Sequence, residues 1–272
     1  MTAAATLQLT LLPGARELLA IHERELPQRD DLCGAFCGAL ALAAAGIGEH
    51  DGEPVDQDAV ALAAGSVIAA AHGSLPHGET GRRDYRLSIP VIDDAALSGT
   101  TAGGVQRAIE QLSQGRLVAL PLAGPWSAGA LEELFGRLAG YERPVTLIAN
   151  LATHHLWGSH PSVSRLLAYL FEGEQEGPAP DWKVGHFVVV AGRVQGPSGS
   201  LYAIADTYPA LGDRGVHLQP RERLAAALER RDMPEGGMLV VVSERDAERT
   251  QEAAGALGLR EGIWDNGTVA RA

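Results

Sequence analysis

Hydrophobic and polar positions change their spacing several times along the chain. An extended piece at 7–12 gives way to a helix at 15–25, where Leu18, Leu19 and Leu26 recur at helical intervals. Pro27-Gln28-Arg29-Asp30-Asp31 breaks that pattern, and a second, almost wholly apolar helix is expected from about 32 to 45. Asp30 or Asp31 is expected to cap it, accepting from the free amides of its first turn. A third helix, about 56–71, is equally apolar and must be buried. Residues 72–100 read as irregular, punctuated by Gly73, Pro76, Gly78, Gly81 and Pro90.

Beyond that point helical and extended periods alternate. Helices are expected at 103–113, 128–138 and 162–171, and strands at 117–122 and 145–151. A polar loop with Pro178 and Pro180 leads into two β-rich runs, 186–194 and 201–206, joined by the turn-like Gln195-Gly196-Pro197-Ser198-Gly199. Helix 221–229, strand 238–242 and helix 245–256 close the chain. Helices first and a β-rich half later make the pattern α+β.

The 272 residues fit one large domain, with 46% hydrophobic and 21% charged residues, enough apolar material for a buried core. A net charge of −12 without a Lys/Arg cluster excludes nucleic acid and disfavours an anionic membrane surface. Two cysteines cannot build a disulfide framework. The N-terminus lacks a basic segment ahead of its apolar run, and the apolar stretch 33–48 falls short of the roughly 20 residues a spanning helix needs. These features lead to the expectation of a cytoplasmic protein.

Candidate chemistry concentrates in Gln28-Arg29-Asp30-Asp31-Leu32-Cys33-Gly34-Ala35-Phe36-Cys37. A cysteine in the first turn of a buried helix sits at unpaired amides and the positive end of the helix dipole, and both favour thiolate over thiol. Gly34 keeps the neighbouring position small, leaving room for a substrate backbone. Gln28 stands where a side-chain amide would support an oxyanion beside the Cys33 amide. The base candidate is His186, entering the apolar strand Gly185-His186-Phe187-Val188-Val189-Val190. Across the hairpin, Asp206 ends the partner strand and would fix the imidazole tautomer. Cys37, one turn after Cys33, reads as core packing, and its spacing from Cys33 does not suit a disulfide.

These segments together resemble the papain-like cysteine peptidases, most closely the C39 and C39-like branch that includes bacteriocin-leader peptidases. The likeness rests on Gln28, the Cys-Gly-x-x-Cys helix start, Gly-His-Phe-Val-Val-Val and the strand ending in Asp206, and it spans roughly 27–45 and 144–209. It implies a helical subdomain packed on an antiparallel sheet, with Cys33 as nucleophile, His186 as base, Asp206 as orienting carboxylate and Gln28 in the oxyanion hole. The implied activity is hydrolysis of a peptide or amide bond, with acyl transfer through the same thioester, or an inactive peptide-binding module, as alternatives. The chain departs from that family in having Asp206-Thr207 where Asp-Pro is usual, a longer hairpin, and Phe36 before the second cysteine. Residues 50–140 match no part of the likeness and read as a largely helical insertion, with Trp126 a candidate to cover the cleft.

No cofactor or metal is expected. Gly103-Gly104 lacks the preceding strand and the lysine of a phosphate loop. His154, His155 and His160 have no companion ligand nearby in sequence, and adjacent histidines are expected to point to different sides. The mixed-sign run Arg221 to Arg231 reads as a solvated helix face. Substrate identity and oligomeric state are not legible.

Overall fold

A computed structural model describes residues 6–71 and 73–269. Its strands are β1 (Gln8–Leu11), β2 (Glu49–His50), β3 (Glu53–Pro54), β4 (Ile68–Ala69), β5 (Val91–Ile92), β6 (Leu117–Ala123), β7 (Thr146–Ala152), β8 (Gly185–Gln195), β9 (Ser200–Ala205), β10 (Val216–Pro220), β11 (Gly237–Ser243) and β12 (Arg260–Glu261). Its α-helices are α1 (Ala15–Glu25), α2 (Cys33–Ala44), α3 (Gln57–Ala64), α4 (Ala102–Leu112), α5 (Ala128–Ala139), α6 (Val163–Glu172), α7 (Arg221–Glu229) and α8 (Ala247–Gly255). The main sheet runs β10-β9-β8-β7-β11-β6-β12, with β1 on the far half of β8, and all these pairings are antiparallel. The architecture is α+β.

The middle strands read VVV rather than alternating because both faces of the sheet are covered. Phe187 and Val189 of β8 join α2, α3 and α4 in one core, while Val188 and Val190 join α5, α7 and α8 in another. The helical layer on each face accounts for the continuous apolar runs. Hydroxyl and carboxylate caps set several helix starts: Asp56 accepts from the Ala59 amide, Thr101 from Gly104 and Ser127 from Ala130.

The third helix is half as long as expected. Gly65 adopts a left-handed conformation (φ 70°) and ends α3, and the chain then turns into β4. Residues 50–140 are not only helical: β6 pairs with β11 in the main sheet, and α3 and α4 pack on α2. Trp126 is buried with α5 and α7 on the opposite face of the sheet from α2. No helix among the described residues is long and apolar enough to cross a membrane.

Candidate active site

A cleft of about 360 Å³ opens where the start of α2 meets the starts of β8 and the ends of β7 and α7. Such a volume suits a small ligand or one or two residues of a peptide. Cys33, His186 and Gln28 all line it, and Asp206 sits directly behind His186.

Asp30 and Asp31 do not cap α2. Asp31 adopts a positive φ of 63°, and its Oδ2 accepts from the Ala69 amide at 2.7 Å. Asp30 Oδ1 accepts from the Arg82 amide at 2.8 Å. Both carboxylates hold these distant backbone amides instead, and no side chain caps the first turn of α2. Helix-start amides left without a cap at the edge of a cleft are available to a ligand's negative oxygen. Gly34 does not face that ligand: a Cβ there would lie 3.0 Å from Val105, 3.1 Å from Thr100 and 3.2 Å from Phe187. Its small size serves the packing of α2 on α4 and β8.

His186 Nε2 donates to Asp206 Oδ1 at 2.9 Å, which leaves Nδ1 as the ring nitrogen free for the thiol. Burial opposes the charged ring. The Asp206 charge and hydrogen bond, joined by hydrogen bonding to Cys33 and its charge, outweigh it, and the imidazole is pushed up to about 10. Cys33 is half-buried in the cleft, while Cys37 is fully buried and burial holds its thiol well up; both are free.

Asp206 is fixed on every side. Its Oδ1 also accepts from the Thr207 amide at 2.7 Å, and Oδ2 lies 3.3 Å from His217 Nε2. The Gln219 amide clamps the Trp157 backbone with both ends, accepting from its N–H at 2.8 Å and donating to its carbonyl at 2.9 Å. That fixes Gln219 Nε2 as the donor to His217 Nδ1 at 2.9 Å, so His217 must donate from Nε2 to Asp206. His22, whose pKa burial pushes down, donates to the Asp206 carbonyl. Although burial disfavours its charge, the His186 charge and hydrogen bond, joined by the His217 hydrogen bond, hold the Asp206 carboxyl far below the usual range.

Gln28 is buried and its backbone amide donates to the Thr207 carbonyl at 3.0 Å, tying the loop before α2 to the end of β9. Its Nε2 donates to the Arg29 carbonyl at a long 3.3 Å, and Oε1 has no partner.

Several site residues carry no sequence signal. Trp182 sets its indole edge-on to the His186 ring at 5.1 Å, with Tyr208 stacked beyond at 6.2 Å, so aromatic surface walls the imidazole. Asn150 and Arg230 line the cleft as well. Arg230 belongs to the run expected as a solvated face, yet it is 2% exposed. His154 and His155 do not diverge: a 3-10 turn aims both at Asp232, at 2.7 and 3.0 Å. The three could offer ligand atoms to a metal ion, but as they stand they form a closed hydrogen-bonded clasp.

No curated protein matches the sequence. The profile described as a family of unknown function (DUF6885) matches residues 12–265, nearly the whole chain, and the protein belongs to that family.

Proposed function

We propose that the protein is a cysteine-dependent acyl hydrolase of papain-like fold, acting on a peptide or amide bond. One observation carries the reading: Cys33 stands at an uncapped helix start in the same cleft as an imidazole whose far nitrogen is tied to a fully anchored carboxylate. The Cys33 proton passes to His186 Nδ1, and the thiolate forms a C–S bond with the substrate carbonyl carbon as the carbonyl electron pair moves to oxygen. The α2 amides and Gln28 stabilise that oxyanion. Collapse breaks the C–N bond, and His186 gives its proton to the departing amine. Water, deprotonated by His186, then attacks the thioester, releases the acid and restores the thiol.

Two measurements test this. Iodoacetamide at neutral pH should alkylate Cys33 at least about tenfold faster than a free thiol, as a thiolate held at a helix start does, and leave Cys37 untouched. p-Nitrophenyl acetate should give a burst and an acetyl group on Cys33, and its breakdown with and without added amines separates hydrolysis from transfer. Slow labelling of both cysteines, only on unfolding, would establish a non-catalytic binding module instead.

A further inference from the structure

We infer that Arg230 is an anion-recognition residue of this cleft, and that the substrate carries a carboxylate close to the carbonyl attacked by Cys33. The inference rests on the acyl-transfer reading and adds the substrate's charge to it.

Arg230 follows α7 in a left-handed conformation (φ 46°), which turns the side chain back into the protein instead of out along the helix face. Two glycines make room for it. A Cβ at Gly185 would lie 2.7 Å from Arg230 Nη2, and a Cβ at Gly236 only 2.3 Å from Arg230 Cδ. Gly185 is the residue before His186, so the glycine of the Gly-His-Phe motif leaves the space that the guanidinium fills. Nη1 donates to Asn150 Oδ1 at 2.7 Å, an oxygen that also accepts from the Trp264 indole at 3.1 Å.

What the guanidinium lacks is a counter-charge. Among the described residues no carboxylate forms an ion pair with it, and Nε has no hydrogen-bond partner although it is buried. Asp232, whose charge acts on it, is engaged by His154 and His155. The other charged groups of the cleft, Asp30 and Asp31, hold the Arg82 and Ala69 amides. Burial keeps the guanidinium below its ordinary pKa, as an uncompensated cation requires. A buried cation is retained at such cost where something anionic occupies the site, and a guanidinium's fork matches a carboxylate with two parallel hydrogen bonds. Arg230 and Cys33 line the same cleft, which puts the recognised group and the reacting carbon in one site.

Iodoacetate and iodoacetamide test this, since they deliver the same carbon to sulfur, displace iodide, and differ in one negative charge. The wild-type protein should react with iodoacetate at least about tenfold faster, relative to iodoacetamide, than a free thiol does, and Arg230→Met should abolish that preference. Arg230→Lys should keep part of it, because the charge remains and the fork is lost. Gly185→Ala, which leaves arginine in place but crowds it, should lower the preference if the Met variant fails to fold. A wild-type preference no larger than that of a free thiol, or one unchanged in a folded Arg230→Met variant, overturns the proposal while fast iodoacetamide labelling leaves the acyl-transfer reading intact. Slow reaction of Cys33 with both reagents defeats that reading itself.

Discussion

His186 and Arg230 are both buried cations lining one cleft, yet the protein treats them oppositely. Around His186 every charge is answered: Asp206 is 2.9 Å away, and its own carboxylate is held by Thr207 and His217. Around the Arg230 guanidinium, one neutral amide oxygen is the acceptor provided among the described residues. The contrast separates what is pre-organised from what is left for a ligand to complete. A proton-transfer group gains from fixed partners, because no reorganisation is then needed during reaction. A recognition group gains from an absent partner, because the ligand then supplies it.

Breaking the first half of the comparison should have the largest effect. His186→Gln removes the base but keeps a polar group of similar reach, and alkylation of Cys33 by iodoacetamide at neutral pH should slow by about 100-fold or more. Second-order labelling rates measure it, and a wild-type rate in the variant would dissolve the row as a unit.

Stability against pH gives the next effect. His186 is raised from 6.5 to about 10 on folding, so its contribution is fully present below about 6.5 and declines as pH climbs towards 10. Asp206 is depressed from 3.8, so its contribution is present above that value and lost as pH falls below it. The melting-temperature gap between wild type and His186→Gln should therefore narrow steadily from pH 6.5 to 10, and a constant gap would contradict the ion pair.

The smallest effect sharpens the contrast between the two cysteines. Cys37 is fully buried in the core of α2, α3 and α4, and Cys37→Ala should cost about 1 kcal/mol of stability from lost packing while leaving Cys33 labelling unchanged. Denaturant unfolding and the iodoacetamide rate check the two halves of that statement.

The row from Cys33 to Asp206 was legible because each member sits at the end of a strongly patterned element, where a helix or strand start fixes its place. The Arg230 side was not. Its sequence neighbours alternate in sign like any solvated helix, and its burial comes from one left-handed residue at the end of α7 and two glycines, one of them about 45 positions upstream. The Gly236-Gly237 pair just after it was the available hint. Asp30 and Asp31 looked like caps because local spacing favours capping, but amides from the distant Ala69 and Arg82 took their carboxylates. β10 has no clear sequence signal because Gly212, Gly215 and Pro220 bound a run of only four residues, and His217 and Gln219 lie within it. The clasp of His154, His155 and Asp232 joins residues nearly 80 positions apart, which no spacing rule reaches.

The setting of Trp182 has one more consequence. The other three tryptophans, Trp126, Trp157 and Trp264, are sealed in the interior, whereas Trp182 is partly exposed, lies against the imidazole and donates to the Ser74 hydroxyl at 2.9 Å. Anything that enters the cleft against the imidazole changes the surroundings of that partly exposed indole. The molecule thus carries its own optical gauge of occupancy, already placed at the reacting group.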